Sequence, residues 1–340
     1  MKQLIAAAAV ILGLVACTET GPPAGKAPGT PAASSAEPTG KGVPAATPPT
    51  TLDLRLSFFP SSCKLPITIG GSQQAFLTFP EDQLTFAGKG SGGYYDLAYS
   101  RWLPVPRDAV APDGRHYAMV DLGDGTAFTV HIVDVATGKD TKLQVPSDEF
   151  NFPPDVLDYA AEGIYLENGF EHRQAGLWLL DPATGAVRQL SNDWVPVAID
   201  HGYVWTEVLN PADPDPVNTA SSAGILPNEI DRIDLKTGAR TTWVYRPGTG
   251  VSIVGFDTAG RPLMVSSKWG LDLEAMLFLA LDPGSQLNLF QGDLAQTLGG
   301  GIDDAHGMWL GSSQGIYLYS AAGGLQKVSN QPGMPANGCF

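Results

Sequence analysis

The polar and apolar positions of this chain repeat one short unit: an apolar or alternating run, a tight turn that ends in glycine, and a second alternating run. The unit is clearest at Leu177–Leu190, LWLLDPATGAVRQL, and recurs at His131–Val145 and Asp231–Val244. Weaker copies occupy Phe278–Phe290 and Ile316–Val328. Because alternation with a period of two is typical of strands with one buried face, each unit predicts a β-hairpin.

The turn of the three clear copies has the form Asp-x-x-Thr-Gly. A type I turn followed by a left-handed residue requires a positive φ, which glycine adopts without a Cβ clash. The turn glycines are Gly138, Gly185 and Gly238, and the acids that open the turns are Asp134, Asp181 and Asp234. A short carboxylate at this position accepts backbone N–H groups. We therefore interpret the repeated acids as turn formers rather than as catalytic groups.

The turns recur with a spacing that is typical of propeller blades. Asp134 and Asp181 are 47 residues apart, Asp181 and Asp234 are 53 apart, and Asp234 and Asp282 are 48 apart. The last step, from Asp282 to Ser320, is 38 residues. A period of about 40 to 50 residues predicts blades that stack in a ring, because one blade cannot bury both of its faces.

The predicted fold is therefore an all-β propeller, most simply of six blades, preceded by a cleaved signal and a linker. The predicted blades are about 52–105, 106–148, 149–191, 192–248, 249–294 and 295–330. Seven blades are the alternative, if Leu52–Tyr99 contributes more than one sheet.

Composition supports many short strands and excludes one class of ligand. The 340 residues include 40 glycines and 28 prolines while 16% are charged, as expected for strands joined by tight turns. The 35 acidic residues exceed the 20 basic ones, and the net charge of −15 repels the phosphates of nucleic acids. We therefore exclude nucleic-acid binding. We interpret the acidity as a soluble extracytoplasmic surface in preference to an acidic binding face.

Residues 1–16 have the features of a lipoprotein signal peptide. Lys2 precedes an apolar stretch, Leu4–Val15, that is too short to span a bilayer. The LVAC sequence at Leu14–Cys17 resembles the bacterial lipoprotein signal, and the resemblance implies cleavage before Cys17 and acylation of this residue. Two or three acyl chains, palmitate among them, would anchor the protein stably to a membrane. The alternative is an ordinary secreted protein with a chance cysteine.

The composition of residues 17–51 predicts a disordered tether between the membrane and a propeller domain that spans 52–340. The stretch is dense in proline, alanine, glycine, threonine and serine, and it cannot bury enough apolar surface to fold. Fully extended, it would reach roughly 100 Å. The expected location is extracytoplasmic: the outer membrane of a cell with two membranes, or the outer face of a single membrane.

Two short motifs resemble the turns of known propellers. Ala111–Gly114, APDG, resembles the Ser-Pro-Asp-Gly turn of TolB-like propellers, with Ala111 in place of serine. Asp303–Tyr319 resembles the repeat of regulator-type propellers, in which Asp-x-x-Gly precedes Leu-Trp-x-Gly. Both resemblances imply a propeller fold over about 100–330. Such turns occur in many unrelated propellers, so they imply little about activity.

Cys63 and Cys339 remain once Cys17 is assigned to lipid, and they lie at the two ends of the predicted domain. A propeller brings its ends together and the expected compartment is oxidising. We therefore predict a Cys63–Cys339 disulfide that closes the ring. The alternative is a pair of free thiols.

No stretch carries a specific catalytic signature, and the five histidines are too scattered to predict a metal site. No cofactor is expected. The densest polar group is Asp303, Asp304 and His306, and Asp200 with His201 occupies the equivalent place two blades earlier. If these groups meet at a central funnel, a carboxylate–imidazole pair could act as a general base or hold a divalent ion. The alternative, which we favour, is an inert solvated turn.

The longest insertion, Glu207–Asn228, is predicted to be a loop on the rim of the ring. Asp213 and Asp215 are its candidate binding residues, although too few acids are present for an EF-type calcium loop. Loops of this length without structure of their own are usually functional or disordered.

The predicted function is a protein-interaction or surface-recognition module that is anchored through Cys17 and acts on a protein partner. The alternative is an enzyme, a hydrolase or lyase acting on a carbohydrate or lactone, with Asp303, Asp304 and His306 as first candidates. A sensor or solute-binding lipoprotein is a third alternative. Acids and histidines converging at one mouth of the channel would favour the enzyme. An apolar or glycine-lined channel with an aromatic rim would favour binding.

Overall fold

The structure, a computed structural model, describes residues 56–90, 93–121, 127–146, 150, 154–168, 175–212, 227–267 and 275–340. The predicted signal peptide, Cys17 and the tether lie outside these residues, as do Asp213 and Asp215. No helix in the described ranges is long and apolar enough to cross a membrane. The helical elements described are two short 3-10 helices, Arg107–Ala109 and Asp293–Thr297.

The rest of the regular structure is β-strand. In chain order the described strands are β1 (Cys63–Ile69), β2 (Gln73–Phe79), β3 (Gln83–Lys89), β4 (Tyr94–Asp96), β5 (Arg101–Leu103), β6 (His116–Asp121), β7 (Ala127–Asp134), β8 (Asp140–Pro146), β9 (Pro154–Ala160), β10 (Gly163–Asn168), β11 (Leu177–Leu180), β12 (Val187–Ser191), β13 (Pro196–Asp200), β14 (Tyr203–Val208), β15 (Glu229–Asp234), β16 (Arg240–Tyr245), β17 (Gly250–Phe256), β18 (Pro262–Ser267), β19 (Met276–Asp282), β20 (Ser285–Gln291), β21 (Gly299–Asp304), β22 (Gly307–Ser312), β23 (Gly315–Ser320), β24 (Gly324–Ser329) and β25 (Met334–Pro335).

These strands form six antiparallel groups, and within each group the strands that are consecutive in sequence are hydrogen-bonded neighbours. We name them the first sheet (β25, β1, β2, β3), the second (β6–β8), the third (β9–β12), the fourth (β13–β16), the fifth (β17–β20) and the sixth (β21–β24). β4 and β5 form a separate hairpin. The fifth and sixth sheets touch through one parallel contact between Gly255 of β17 and Gly301 of β21.

Buried side chains join each sheet to the next. One apolar cluster packs the second sheet on the third, through residues such as Val130 and Trp178. Similar clusters join the third sheet to the fourth, the fourth to the fifth and the fifth to the sixth. Trp309 of the sixth sheet stacks on Phe79 of the first, with 5.7 Å between ring centroids. The last sheet therefore packs on the first.

The β4–β5 hairpin fills the remaining step, between the first and second sheets. Tyr95 packs edge-on against Phe76 of the first sheet, with ring centroids 5.0 Å apart. On its other side, Leu103 lies in a buried cluster with Ala109 and Val135. The sheets thus close a ring, and the fold is a β-propeller, as the sequence predicts. The six sheets follow the six predicted repeats, and the number of blades stays a prediction.

The Asp-x-x-Thr-Gly segments form the outer hairpins, as predicted. Their glycines have positive φ, for example 74° at Gly185. In the first copy, Asp134 Oδ1 accepts the backbone N–H and the hydroxyl of Thr137, both at 2.7 Å. These hydrogen bonds hold the pKa of Asp134 below its usual range. The Asp134 carboxylate is therefore engaged in hydrogen bonds within its own turn.

The first sheet differs from the predicted first blade. Its innermost strand is β25, which comes from the far end of the sequence and pairs Ile67 with Pro335 and Thr68 with Met334. The residues after β3 leave this sheet and form the β4–β5 hairpin. β25 is short because Pro335 has no N–H with which to extend the ladder.

The predicted disulfide is present beside β25. Cys63, the first residue of β1, is bonded to Cys339, with 5.6 Å between the Cα atoms and 276 residues between them in sequence. The N–H of Lys64 donates to the Phe340 carbonyl at 2.8 Å, and the N–H of Phe340 donates back at 3.2 Å. The two ends of the described domain are therefore joined covalently and by backbone pairing.

Candidate functional site

A cavity of about 910 Å³ lies where the innermost elements of the ring face one another. Its wall is built from β4, the 3-10 helix at Arg107–Ala109, the ends of β9, β13, β17 and β21, and β25. Pockets of about 300 to 1,000 Å³ are typical of sites that enclose a small ligand. This central cavity is therefore the candidate site.

Five segments of the ring each place an aspartate on the cavity wall. Together with one glutamate, the acidic lining residues are Asp108, Asp158, Glu162, Asp200, Asp257 and Asp303. Among the described lining residues, Arg107 is the only arginine or lysine and His201 is the only histidine. The cavity therefore carries an excess of negative charge, and low-dielectric walls focus its field on a bound cation.

Asp158 is the acid whose ionisation the cavity perturbs most clearly. Burial raises its pKa to about 7, and the charges of Asp108, Glu162 and Asp200 act in the same direction. Burial also raises the pKa of Asp108, although the nearby charge of Arg107 opposes this shift. A carboxyl that titrates near neutrality can exchange a proton, or release one when a cation binds beside it.

Asp200 and His201 form a carboxylate–imidazole pair at the end of β13, with 2.6 Å between Asp200 Oδ2 and His201 Nδ1. The turn that follows β17 packs against this pair. A Cβ added to Gly260 would lie 2.7 Å from Asp200 Oδ2. Because Gly260 has no side chain, the Asp200 carboxylate has room to lie against this turn.

Asp257 and Asp303 differ in how their charge is balanced. Asp257 accepts a hydrogen bond from Arg261 Nε at 2.8 Å and lies 2.6 Å from Arg261 Nη2. Burial raises the pKa of Asp303; a hydrogen bond from the Thr258 backbone opposes the shift and the charge of Asp257 adds to it. Asp257 is thus neutralised by its own turn, whereas Asp303 is a half-buried acid beside another acid.

The wall next to the first sheet is different in character. Tyr94 of β4 lines it, and burial raises the pKa of its hydroxyl while the charge of Arg107 opposes the shift. The side chain of Asn337 also acts to lower the pKa of Tyr94. Pro335 and Ala336 complete this wall. This wall therefore carries the Tyr94 hydroxyl, with the Arg107 guanidinium near it.

Comparison with known proteins gives no family. No protein-family model matches the chain, and no curated protein matches it. Among solved structures, TolB from Acinetobacter baumannii is 13% identical to this chain, with 82% of this chain covered and a TM-score of 0.40. The match covers 66% of the TolB chain, slightly less than two thirds of its length. The β-propeller domain of the Trilobed protease from Pyrococcus furiosus is 10% identical, with 79% of this chain and 86% of that chain covered and a TM-score of 0.41. The periplasmic gluconolactonase PpgL of Pseudomonas aeruginosa is 16% identical, with 80% and 83% covered and a TM-score of 0.41. Similarities this distant carry no argument about function, and the propeller assignment rests on the sheets themselves.

The chemistry open to the cavity follows from its lining. The described lining residues include no serine, cysteine or lysine, so the side chains available for chemistry are the carboxylates, Thr258, two tyrosines and His201. No group of three or more histidine, cysteine, aspartate or glutamate side chains in the described part of the chain is placed to hold a metal ion. The carboxylates can bind a cation at several points, and Asp158 can exchange a proton near pH 7.

The structure separates the three residues that the sequence grouped as catalytic candidates. Asp303 lines the cavity, but Asp304 and His306 do not. Asp304 Oδ2 instead accepts hydrogen bonds from Trp309 Nε1 and the N–H of Cys339, both at 2.7 Å. Because successive side chains of a strand point to opposite sides, the residue after Asp303 is directed away from the cavity. Asp303 is thus separated from the other two, while His306 Nδ1 lies 3.4 Å from Asp304 Oδ1.

His306 also belongs to the junction of the first and sixth sheets. Its ring packs edge-on against Phe59, with 5.4 Å between centroids. Its backbone N–H donates to Asp304 Oδ1 at 2.7 Å. His306 is thus placed as a packing residue near the disulfide.

The predicted rim loop is described only at its two ends. The N–H of Asn210 donates to Asn228 Oδ1 at 2.8 Å, and Asn210 Nδ2 donates to Glu229 Oε2 at 2.6 Å. The ends of the insertion are therefore held together. Its candidate binding residues, Asp213 and Asp215, lie outside the described residues.

Reasoning from the sequence missed Asp108, Asp158 and Asp257 as cavity residues. A signal was present in β9, β13 and β21 and directly after β17, where an aspartate lies two to five residues before a glycine. The pairs are Asp158 and Gly163, Asp200 and Gly202, Asp257 and Gly260, and Asp303 and Gly307. Asp108 lies in a 3-10 helix and has no such signal.

Proposed function

We propose that this chain is an extracytoplasmic recognition module, anchored to a membrane by acyl chains on Cys17, that binds a positively charged segment of a protein partner in its central cavity. The observation that carries the proposal is the convergence of aspartates from five segments of the ring on one cavity. The packed sheets hold these carboxylates in place before the ligand arrives, so little ordering of the site opposes binding.

The electrostatics of the cavity favour a cationic occupant. Burial raises the pKa of Asp158 to about 7, and the negative charges around it add to the shift because they repel its ionised form. A lysine or arginine side chain placed between these carboxylates would relieve the repulsion and lower the pKa. Binding near pH 7 is therefore expected to release protons from the protein.

A titration with tri-lysine tests the proposal. The soluble protein with Cys17→Ser is titrated calorimetrically at low ionic strength with tri-lysine and with the same peptide acetylated on its side chains. We expect binding of tri-lysine alone, with proton uptake by the buffer, and a loss of about tenfold in affinity at physiological salt because the interaction is screened.

Matched variants locate the binding. Asp158→Asn with Asp303→Asn removes two cavity charges, and Asp293→Asn with Asp113→Asn removes two acids that do not line the cavity. Only the first pair is expected to weaken binding. Equal binding of the acetylated peptide, or equal losses from both pairs of substitutions, would contradict the proposal.

The proposed anchor has a separate test. Cys17→Ser removes the residue that the signal resemblance implies is acylated. We expect the protein to move from the membrane fraction to the soluble extracytoplasmic fraction, because the acyl chains on Cys17 are its proposed attachment to the membrane. Unchanged membrane association of the variant would contradict lipid anchoring through Cys17.

One observation supports a second candidate, a hydrolase or lyase acting on a carbohydrate or lactone. Acids and one histidine converge on the cavity, which is the condition named above for an enzyme, and the cavity is not the apolar channel expected of a binding module. Asp158, with a pKa of about 7, is placed to serve as the general acid. A panel of lactones and aryl glycosides tests this candidate. Turnover that Asp158→Asn abolishes, with binding of the substrate retained, would favour the enzyme over the recognition module.

A further inference from the structure

The segment Met334–Cys339 connects the wall of the cavity to the disulfide. Pro335 and Ala336 line the cavity, and Cys339 lies three residues farther along the chain. Gly300 on β21 packs directly against this segment, since a Cβ added there would lie 3.1 Å from Pro335 Cδ. Movement at Cys339 is therefore transmitted over a short, packed stretch of backbone to the cavity wall.

One side of this segment fixes the β4 wall of the cavity. The N–H of Tyr95 donates to the Ala336 carbonyl at 3.0 Å, and Asn337 Nδ2 donates to the Tyr95 carbonyl at 2.7 Å. Tyr94, the residue before Tyr95 on β4, lines the cavity. The segment thus holds Tyr94 in place through the backbone of its neighbour.

The other side of the segment fixes the sheets on either side of the ring junction. The N–H of Ala336 donates to the Pro66 carbonyl of β1 at 2.9 Å. The N–H of Cys339 donates to Asp304 Oδ2 at 2.7 Å, and the preceding residue, Asp303, lines the cavity. The segment therefore touches both walls between which the ring closes.

We infer that Met334–Cys339 is a redox-controlled wall of the cavity. With the Cys63–Cys339 bond intact, the segment holds Tyr94 and the β21 wall in the binding arrangement. A dithiol reductant breaks the bond: one thiolate attacks a cysteine sulfur, the mixed disulfide is resolved by the second thiol, and both cysteines become thiols as the reductant becomes a disulfide. Cys63 is buried, whereas Cys339 is half-buried, so the exposed part of the bonded pair is on the Cys339 side.

The consequence of reduction is local. The apolar clusters that join the second sheet to the third, and so on to the sixth, contain no residue of this segment. The junction of the first and sixth sheets keeps the packing of Phe59, Phe79 and Trp309. Reduction therefore loosens the segment and the β4 wall while the sheets remain folded.

Amide hydrogen exchange on the full chain in detergent tests the structural part of the inference, which does not depend on the proposed function. The oxidised protein is compared with protein reduced by dithiothreitol and alkylated with iodoacetamide. We expect exchange to accelerate about tenfold or more in peptides covering 93–97 and 333–340, with peptides from the third to fifth sheets unchanged. Unchanged exchange in the first two regions, or acceleration throughout the protein, would overturn the inference.

The functional part rests on the proposed binding of cations and uses tri-lysine as the probe. We expect the reduced, alkylated protein to bind tri-lysine several-fold more weakly than the oxidised protein. If the oxidised protein fails to bind tri-lysine, the proposed function fails and the exchange result still decides the inference. If both forms bind equally, the wall does not control the cavity.

Asn337→Ala supplies a second variant that leaves the disulfide in place. It removes the hydrogen bond that Asn337 donates to the Tyr95 carbonyl and the one that it accepts from the Gly338 N–H. Exchange is expected to accelerate in 93–97 and at Gly338 in the oxidised protein, with less effect on 339–340. Gln326→Ala, which removes a hydrogen bond to the Gly323 carbonyl away from the segment, is the control. The same exchange pattern in both variants would contradict a role for the segment in holding β4.

Discussion

At the scale of single residues, the carboxylates of this propeller fall into two kinds. Those in the hairpin turns accept several hydrogen bonds, as Asp181 does from Thr184 and Ala183, and these bonds lower its pKa. Others are half-buried near further acids, and the loss of solvent raises the pKa of Asp158 to about 7 and that of Glu167 to about 8. The first kind stabilises the fold when ionised, and the second destabilises it.

The raised pKa values of Asp158 and Glu167 lead us to expect that stability falls as the pH rises. Asp158 and Glu167 ionise near pH 4 in the unfolded chain but hold their protons to about pH 7 and about pH 8 in the folded protein. Between these values the unfolded state binds fewer protons, so the free energy of unfolding decreases with increasing pH. We expect the melting temperature measured by calorimetry to decline from about pH 4 to about pH 8.

Substitution assigns part of this decline to one residue. Asp158→Asn cannot ionise, so its melting temperature is expected to decline less steeply than that of the wild type between about pH 4 and about pH 7. Asp293→Asn, which changes an exposed acid outside the cavity, is expected to retain the wild-type slope. A wild-type slope in Asp158→Asn would contradict the raised pKa of this carboxyl.

At the scale of elements, the outer hairpins depend on the backbone of their turn glycines. A Cβ at Gly185 would meet only Leu143 Cδ2 at 3.7 Å, an ordinary contact, while its φ is 74°. Gly185→Ala is therefore expected to lower the free energy of unfolding by about 1 to 2 kcal/mol through conformation alone. Gly185→Asn is expected to lose less, because asparagine adopts the left-handed region more readily. Urea unfolding measures both, and equal losses would contradict this origin.

The hairpins could be predicted from the sequence because their determinants are local. Each strand pair and its turn lie within about fifteen residues of chain, and the alternation and the turn chemistry are visible in one window. The β4–β5 hairpin and β25 have strands of only three and two residues, too short for a periodic signal. The inner position of the second sheet carries a 3-10 helix and a bridge from Val110 to Tyr117, where prolines at 104 and 106 interrupt any strand pattern.

At the scale of the whole molecule, the disulfide joins residues that are 276 apart in sequence. Cys63→Ser with Cys339→Ser frees the unfolded chain from this constraint and is expected to lower the free energy of unfolding by up to about 5 kcal/mol in the chain-entropy estimate. Guanidinium unfolding of the wild type and the double variant, both carrying Cys17→Ser, measures the difference. An unchanged transition midpoint would mean that the packing of the ring junction alone keeps the ring closed.

The candidate site could be predicted only in part, for a reason that also belongs to this scale. Asp303 and Asp200 stood out because each lies near a histidine, whereas Asp158 and Asp257 look like ordinary acids near a turn. Nothing local distinguishes an aspartate that faces the centre of a ring from one that faces solvent. The carboxylates become one site only when the sheets close, and closure depends on β25 and on contacts between distant sheets.

The pairing of β1 with β25 sets an order of events during synthesis. β1 is made about 270 residues before its inner neighbour, and during that interval its inner edge offers unpaired N–H and C=O groups. The later sheets can form their hairpins as they emerge, but the acid-lined centre acquires its last wall only when Met334–Pro335 arrives. Ribosome-bound chains that stop before residue 330 would thus present the unpaired edge of the first sheet to chaperones and to one another. The time spent in that state, rather than the stability of the finished ring, would govern how much functional protein a cell obtains.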